Sequence, residues 1–155
     1  MRRTDQRRAA IFALYQHEVT GTPLEDLIER GPFPDLHGAE QEAPIRSGPL
    51  TDFAGGLVRG VEEQGPELDA LISHASEGWA LDRIAPLERS ILRVALYEVL
   101  YRPDVPDEVA IDEAVEAAKT FCGTDAPGFV NGVLGGVVRG LDREHVTGPG
   151  GPPGD

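Results

Sequence analysis

The segment "PLERSILRVALYEVLYR", residues 86–102, determines the fold class of this chain. Its proline suits the first turn of a helix, where the backbone N–H is not needed for a hydrogen bond. Apolar residues then recur at helical spacing over more than one face, which is typical of a helix buried at the centre of a domain. The segment therefore predicts a central helix that carries Leu87, Ile91, Leu92, Val94, Ala95, Leu96, Val99 and Leu100.

Helical periodicity continues on both sides of this segment. Thr4, Thr51 and Asp107 are predicted to cap helices. A short helix is predicted over 24–30 and a last one over 129–141. Glycines and prolines separate these segments, and no alternating strand pattern interrupts them. We therefore predict an all-α fold of about seven short helices, with a core that includes Leu14, Ile91, Ala95, Val115 and Leu134.

The chain of 155 residues has the length of one domain, which we place over residues 1–143. Within it, residues 31–49 hold four prolines and three glycines and are predicted to form a mobile loop. Residues 144–155 are rich in glycine and proline and are predicted to be a disordered tail.

Residue types that carry catalysis or bind metals are sparse in this sequence. Cys122 is the single cysteine, so no internal disulfide forms, and a cytoplasmic protein is the simplest expectation. No apolar run has the length of a membrane span. The four histidines show no metal-binding spacing, and the glycines of the last helix match no phosphate loop. We therefore predict no enzymatic activity, no cofactor and no metal.

The distribution of charge is the strongest functional signal. The chain has a formal net charge of −13, yet Arg2, Arg3, Arg7 and Arg8 lie within its first eight residues, beside Asp5. Cations at a helix start oppose the helix dipole, so helix stability does not explain them. Guanidinium groups pair well with phosphate oxygens. The cluster is therefore either a polyanion-binding site or a solubilising end of the chain.

Three segments together resemble the NusB family of bacterial transcription antitermination proteins. They are "RRAAIFALYQHE" at 7–18, "ERSILRVALYEVLYRPDVPDEVAIDEAVEAAKTF" at 88–121 and "TDAPGFVNGVL" at 124–134. The resemblance implies an all-α fold of two small packed helical bundles without catalysis. It also implies binding of boxA-type RNA together with the ribosomal protein that doubles as NusE, within an antitermination complex on RNA polymerase.

The resemblance assigns site residues position by position. Arg3 and Arg7 match basic positions that approach RNA in the family, and Arg2 and Arg8 are additional basic groups nearby. Asp125 and Phe129 match positions beside the RNA surface, but other roles are open to both. The Phe129 ring either stacks on a base or anchors the start of the last helix, and Asp125 either contacts a base edge or caps that helix.

The acidic remainder of the chain is expected to attract a basic partner protein. Alternative functions are a homodimeric helical RNA-binding protein, and a helical adaptor without an antitermination role. A further alternative is the RNA-binding appendage of a ribosomal RNA methyltransferase, which we disfavour because the sequence holds no methyltransferase domain.

Overall fold

The computed structural model describes residues 2–32, 48–76 and 80–147, with side chains as far as residue 141. Most of the predicted loop at 31–49, and the predicted tail beyond residue 147, lie outside the described residues. The described part holds seven α-helices, a 3₁₀ turn at Leu81–Arg83 and no strand, which confirms the all-α prediction. The helices are α1 (Arg3–Thr20), α2 (Leu24–Arg30), α3 (Asp52–Glu63), α4 (Gly65–Ala75), α5 (Pro86–Tyr101), α6 (Asp107–Phe121) and α7 (Ala126–Thr147).

Several helix ends follow from local sequence signals. The Thr51 hydroxyl accepts a hydrogen bond from the Ala54 N–H at 3.1 Å, which confirms its predicted role as the cap of α3. Gly21 ends α1 with φ +80°, a left-handed conformation that favours glycine, and its N–H donates to the carbonyl of His17. Pro86 is the first residue of α5, as predicted.

Two predicted caps were wrong because those side chains lie inside their helices. Helix α1 begins at Arg3, so Thr4 is helical, and its hydroxyl donates to the Glu113 carboxylate at 2.9 Å. Helix α6 begins at Asp107 itself and is preceded by Pro106, which has no side chain able to cap it. The last helix was predicted too short, since α7 starts at Ala126 and ends at Thr147.

Helix α5 lies at the centre of the fold and packs against α1, α3, α4, α6 and α7. Its apolar residues on several faces therefore all meet a neighbouring helix, which explains why its sequence is hydrophobic almost all round. Four of the five predicted core residues are buried, namely Leu14, Ile91, Ala95 and Leu134. Val115 is half-buried and packs at the margin of the core, so its prediction as a buried residue was wrong.

Candidate nucleic-acid interface

The start of α1 meets α3, α5 and α6 at one end of the fold. Thr51, before α3, donates from its hydroxyl to the Gln6 side-chain oxygen at 2.7 Å. Thr4 bonds to Glu113 of α6, as described above. These cross-helix bonds hold the N-terminal arginines at a junction of helices rather than on a detached arm.

Arg7 lies inside this junction with 7% of its surface exposed. Its Nε donates to both carboxylate oxygens of Glu98, at 2.8 Å and 3.0 Å, and the Glu98 side chain is 1% exposed. The Arg7 Nη1 lies 4.0 Å from the Glu113 carboxylate. Arg7, which the resemblance places with the RNA-approaching positions and which we expected to be exposed, is therefore buried, because its face of α1 packs against the Glu98 carboxylate of α5.

The other three arginines of the cluster reach the surface. The Arg2 side chain is 82% exposed, and its Nε lies 3.6 Å from the Asp5 carboxylate. Arg3 is exposed, with its guanidinium carbon 3.9 Å from the centre of the Phe53 ring. Arg8 is half-buried, with its guanidinium carbon 5.2 Å from the centre of the Phe121 ring. Arg3 and Arg8 thus lie against aromatic rings of different helices.

Asp125 and Phe129 lie together at the start of α7. They line an open pocket of about 340 Å³, whose wall also includes Arg83 of the 3₁₀ turn and Glu88 from the start of α5. Asp125 is exposed, and its backbone carbonyl accepts from the Phe129 N–H at 3.3 Å. The Phe129 ring is half-buried, so it packs on the core with one part and faces the pocket with another. Both roles of this ring stay predictions.

A chain of neighbouring residues connects the arginine cluster with this pocket. Arg8 contacts Phe121, the last residue of α6, and Cys122 follows it directly. Burial, and secondarily the charge of Glu88, raises the pKa of the Cys122 thiol to about 11. Glu88 in turn lines the pocket with Phe129, and burial raises the pKa of its carboxyl. Arg8 at the start of α1 and the pocket of Asp125 and Phe129 therefore border the same end of α6.

Two residues of the junction were missed by sequence reasoning. Arg102 directly follows α5, and its guanidinium carbon lies 5.4 Å from the Phe53 ring centre and 5.7 Å from that of Tyr97. Phe53 belongs to the first turn of α3. Neither residue carries a local signal, because the contact depends on the packing of α3 against α5.

Within the described ranges, no group of three or more His, Cys, Asp or Glu side chains could hold a metal ion. None of the helices in that same part of the chain is long and apolar enough to cross a membrane.

The helical fold and the run of arginines and aromatic rings define an all-α protein with the kind of surface that binds nucleic acid. The chain belongs to the NusB family, whose family model matches residues 4–139. This confirms the resemblance read from the three sequence segments.

Similar proteins cover almost the whole chain. A protein of Rubrobacter xylanophilus named transcription antitermination protein NusB is 47% identical over 137 residues, which are 88% of this chain and 90% of that protein. A protein of the same name from Symbiobacterium thermophilum is 41% identical over 146 residues, with 91% and 92% covered. Among solved structures, T. maritima NusB has a TM-score of 0.72 and 34% identity, with 90% of this chain and 92% of that chain covered.

Proposed function

We propose that this protein is a transcription antitermination factor that binds single-stranded, boxA-type RNA jointly with a basic NusE-type ribosomal protein. The observation that carries the proposal is that one NusB-family fold presents both surface arginines at the start of α1 and an open pocket lined by Asp125 and Phe129. In this role the pair joins an antitermination complex on RNA polymerase and supports processive transcription of ribosomal RNA. Such a factor works in the cytoplasm.

Arg2, Arg3 and Arg8 are proposed to contact RNA phosphates. Their guanidinium groups lie at the surface and offer forked donors that fit phosphate oxygens. Arg7 has a different proposed role, since its Nε is already engaged by Glu98. It fixes the start of α1 against α5, and so positions the arginines on either side of it.

Asp125 and Phe129 are proposed to contact a base. RNA sequence is usually read on single strands, where unstacked bases lie against aromatic rings and present their edges to polar side chains. The half-buried Phe129 ring is held by the core and still borders an open pocket, which suits a stacking platform. The exposed Asp125 lines the same pocket, which supports its proposed role of accepting from an amino group of that base.

The net charge of −13 favours assembly with a basic partner. A strongly acidic protein repels RNA at long range and attracts a basic protein, which speeds and orients their association. The partner then adds positive charge beside the local arginine cluster. RNA affinity is therefore expected to be high for the pair and low for this chain alone.

The test is titration of a boxA-type single-stranded RNA with this chain, with the NusE-type protein and with both, at several salt concentrations. Phe129→Leu should weaken binding by about 1–3 kcal/mol and leave the salt dependence unchanged, because stacking involves no counterion release. Arg3→Ala should lower the slope of log K against log salt by about 0.7. Arg139→Ala, an exposed arginine of α7, is the charge-matched control. Failure of the wild-type pair to bind this RNA more tightly than a scrambled sequence would refute the proposal.

A further inference from the structure

Three guanidinium groups surround the single ring of Phe53. The guanidinium carbons of Arg3, Arg102 and Arg7 lie 3.9 Å, 5.4 Å and 5.5 Å from its centre. They come from the start of α1 and from the residue that follows α5, so three helices converge on this ring. Each arginine is attracted to the ring face, but the three positive charges repel one another.

The three guanidinium groups differ in whether a carboxylate lies close enough to neutralise them. Arg7 donates to Glu98 and lies near Glu113. Among the residues that the structure describes, neither Arg3 nor Arg102 has a carboxylate within the 4.0 Å of an ion pair. Two guanidinium groups without a carboxylate partner in the described part of the chain thus lie on one ring, and their carbon atoms are separated by no more than their combined distances to the ring centre.

The backbone of α3 leaves room for Arg102 in this position. A Cβ atom built on Gly56 would lie 2.9 Å from the Arg102 Nη2, so the guanidinium lies directly against the helix where glycine has no side chain. The Tyr97 ring supports the same guanidinium from α5. The position of Arg102 is therefore defined by packing, although the residue itself is half-exposed.

We propose that Arg3 and Arg102, supported by the Phe53 ring, form a binding position for an RNA phosphate, which extends the RNA surface from α1 onto α3 and the end of α5. The inference rests on the proposed function and adds Arg102, a residue that is not among the predicted RNA-binding residues. A phosphate between the two guanidinium groups relieves their mutual repulsion and accepts their forked donors. The Phe53 ring contributes by holding both cations at the surface before RNA arrives.

The experiment uses the full chain with its NusE-type partner and boxA-type single-stranded RNA at several salt concentrations. Arg102→Gln removes the charge and keeps most of the side-chain stem. It should weaken RNA binding and lower the slope of log K against log salt by about 0.7, the value for one phosphate contact on a single strand. Arg139→Gln removes an equal charge elsewhere and should leave binding and slope as in the wild type.

A second variant displaces Arg102 without changing any charge. Gly56→Ala places a methyl group 2.9 Å from the Arg102 Nη2, so the guanidinium must shift away from its place, while the alanine favours the α3 helix and the fold is retained. It should weaken RNA binding, whereas Gly140→Ala, which meets open space on α7, should not. Circular dichroism and thermal melting establish that each variant is folded at the temperature of the titration.

The outcomes separate this inference from the proposed function. If the wild-type pair binds the RNA and Arg102→Gln matches it in affinity and slope, the phosphate position is overturned and the proposed function stands. An equal loss in Arg139→Gln also overturns it, because a general charge effect then explains the result. The phosphate position is also overturned if Arg102→Gln weakens binding of the partner protein in the absence of RNA and leaves the slope of log K against log salt for RNA unchanged. If the wild-type pair does not bind the RNA, both the function and the inference fail.

Discussion

The buried pair of Arg7 and Glu98 allows a quantitative test of what the N-terminal cluster does for the fold. Replacing Arg7 with Met keeps an apolar side chain in place but leaves the Glu98 carboxylate buried without its guanidinium partner. Breaking a buried ion pair from one side typically costs about 3–5 kcal/mol. For a protein of this size, 1 kcal/mol shifts the melting temperature by about 2–4 °C, so Arg7→Met should lower it by roughly 6–20 °C.

The geometry also predicts an asymmetry between the two partners. In Glu98→Gln, the Glu113 carboxylate still lies 4.0 Å from the Arg7 Nη1. The side-chain oxygen of the new glutamine can also still accept a hydrogen bond from the Arg7 Nε. This variant should therefore lose less stability than Arg7→Met. The double variant Arg7→Met with Glu98→Leu removes both buried charges and should be more stable than Arg7→Met alone.

The assay is urea and thermal denaturation of the wild type and these variants, with Glu98→Leu added so that it, Arg7→Met and the double variant complete a double-mutant cycle. Arg59→Met is the control, because Arg59 pairs with Glu25 at the surface, where an ion pair contributes little. We expect its melting temperature to stay close to that of the wild type. An Arg7→Met variant within about 1 kcal/mol of the wild type would show that the Arg7–Glu98 pair does not hold α1 on α5.

The pKa shifts at the end of α6 and the start of α5 give two further predictions. The pKa of the Cys122 thiol is raised to about 11, so little reactive thiolate is present at pH 8. Its reaction with iodoacetamide at that pH should be at least about tenfold slower than in urea-unfolded protein. Equal rates would contradict the burial of this thiol. Burial raises the pKa of Glu88, so the folded state holds that proton more tightly than the unfolded state, and stability falls as pH rises above the ordinary value of 4.5. Glu88→Gln should therefore stabilise the protein relative to wild type at pH 7 but not at about pH 4, as measured by urea denaturation, and a gain independent of pH would contradict this.

The helices could be predicted from sequence because their signals are local. The apolar periodicity of α5, its starting Pro86 and the Thr51 cap of α3 each depend on residues within a turn or two. The errors at Thr4 and Asp107 are of one kind. A side chain suited to capping is recognisable from its type, but whether the helix begins before or after it depends on contacts elsewhere in the fold.

The burial of Arg7 could not be predicted from the charge cluster, because its partner Glu98 is 91 positions away along the chain. A signal was nevertheless present in the central helix. Glu98 follows Ile91 by seven residues, so both lie on the same side of α5, in a segment whose other residues on that side are apolar. A buried carboxylate at such a position needs a partner of opposite charge, and an arginine from another helix is one side chain that can supply it. The Arg3–Phe53–Arg102 arrangement had no comparable signal, because it depends on how α1, α3 and α5 meet.

The contrast between an acidic chain and its basic N-terminus is explained by which arginines have carboxylate partners. In the interior and along the flank of α5, Arg89 and Arg93 both pair with Glu18, and Arg93 also pairs with Asp69. These ion pairs hold α1 and α4 against α5, and the Arg7–Glu98 pair likewise joins α1 to α5.

Two arginines without a carboxylate partner among the described residues, Arg3 and Arg102, lie together on Phe53 at the junction of α1, α3 and α5. A small cationic site on a body of net charge −13 has little long-range attraction for RNA. Such a site can position a phosphate once RNA is near, but it cannot gather RNA from solution against the field of the whole protein. We therefore propose different roles for the two proteins of the pair. The basic partner attracts the RNA, and the junction of α1, α3 and α5 in this chain binds the RNA backbone at a defined position.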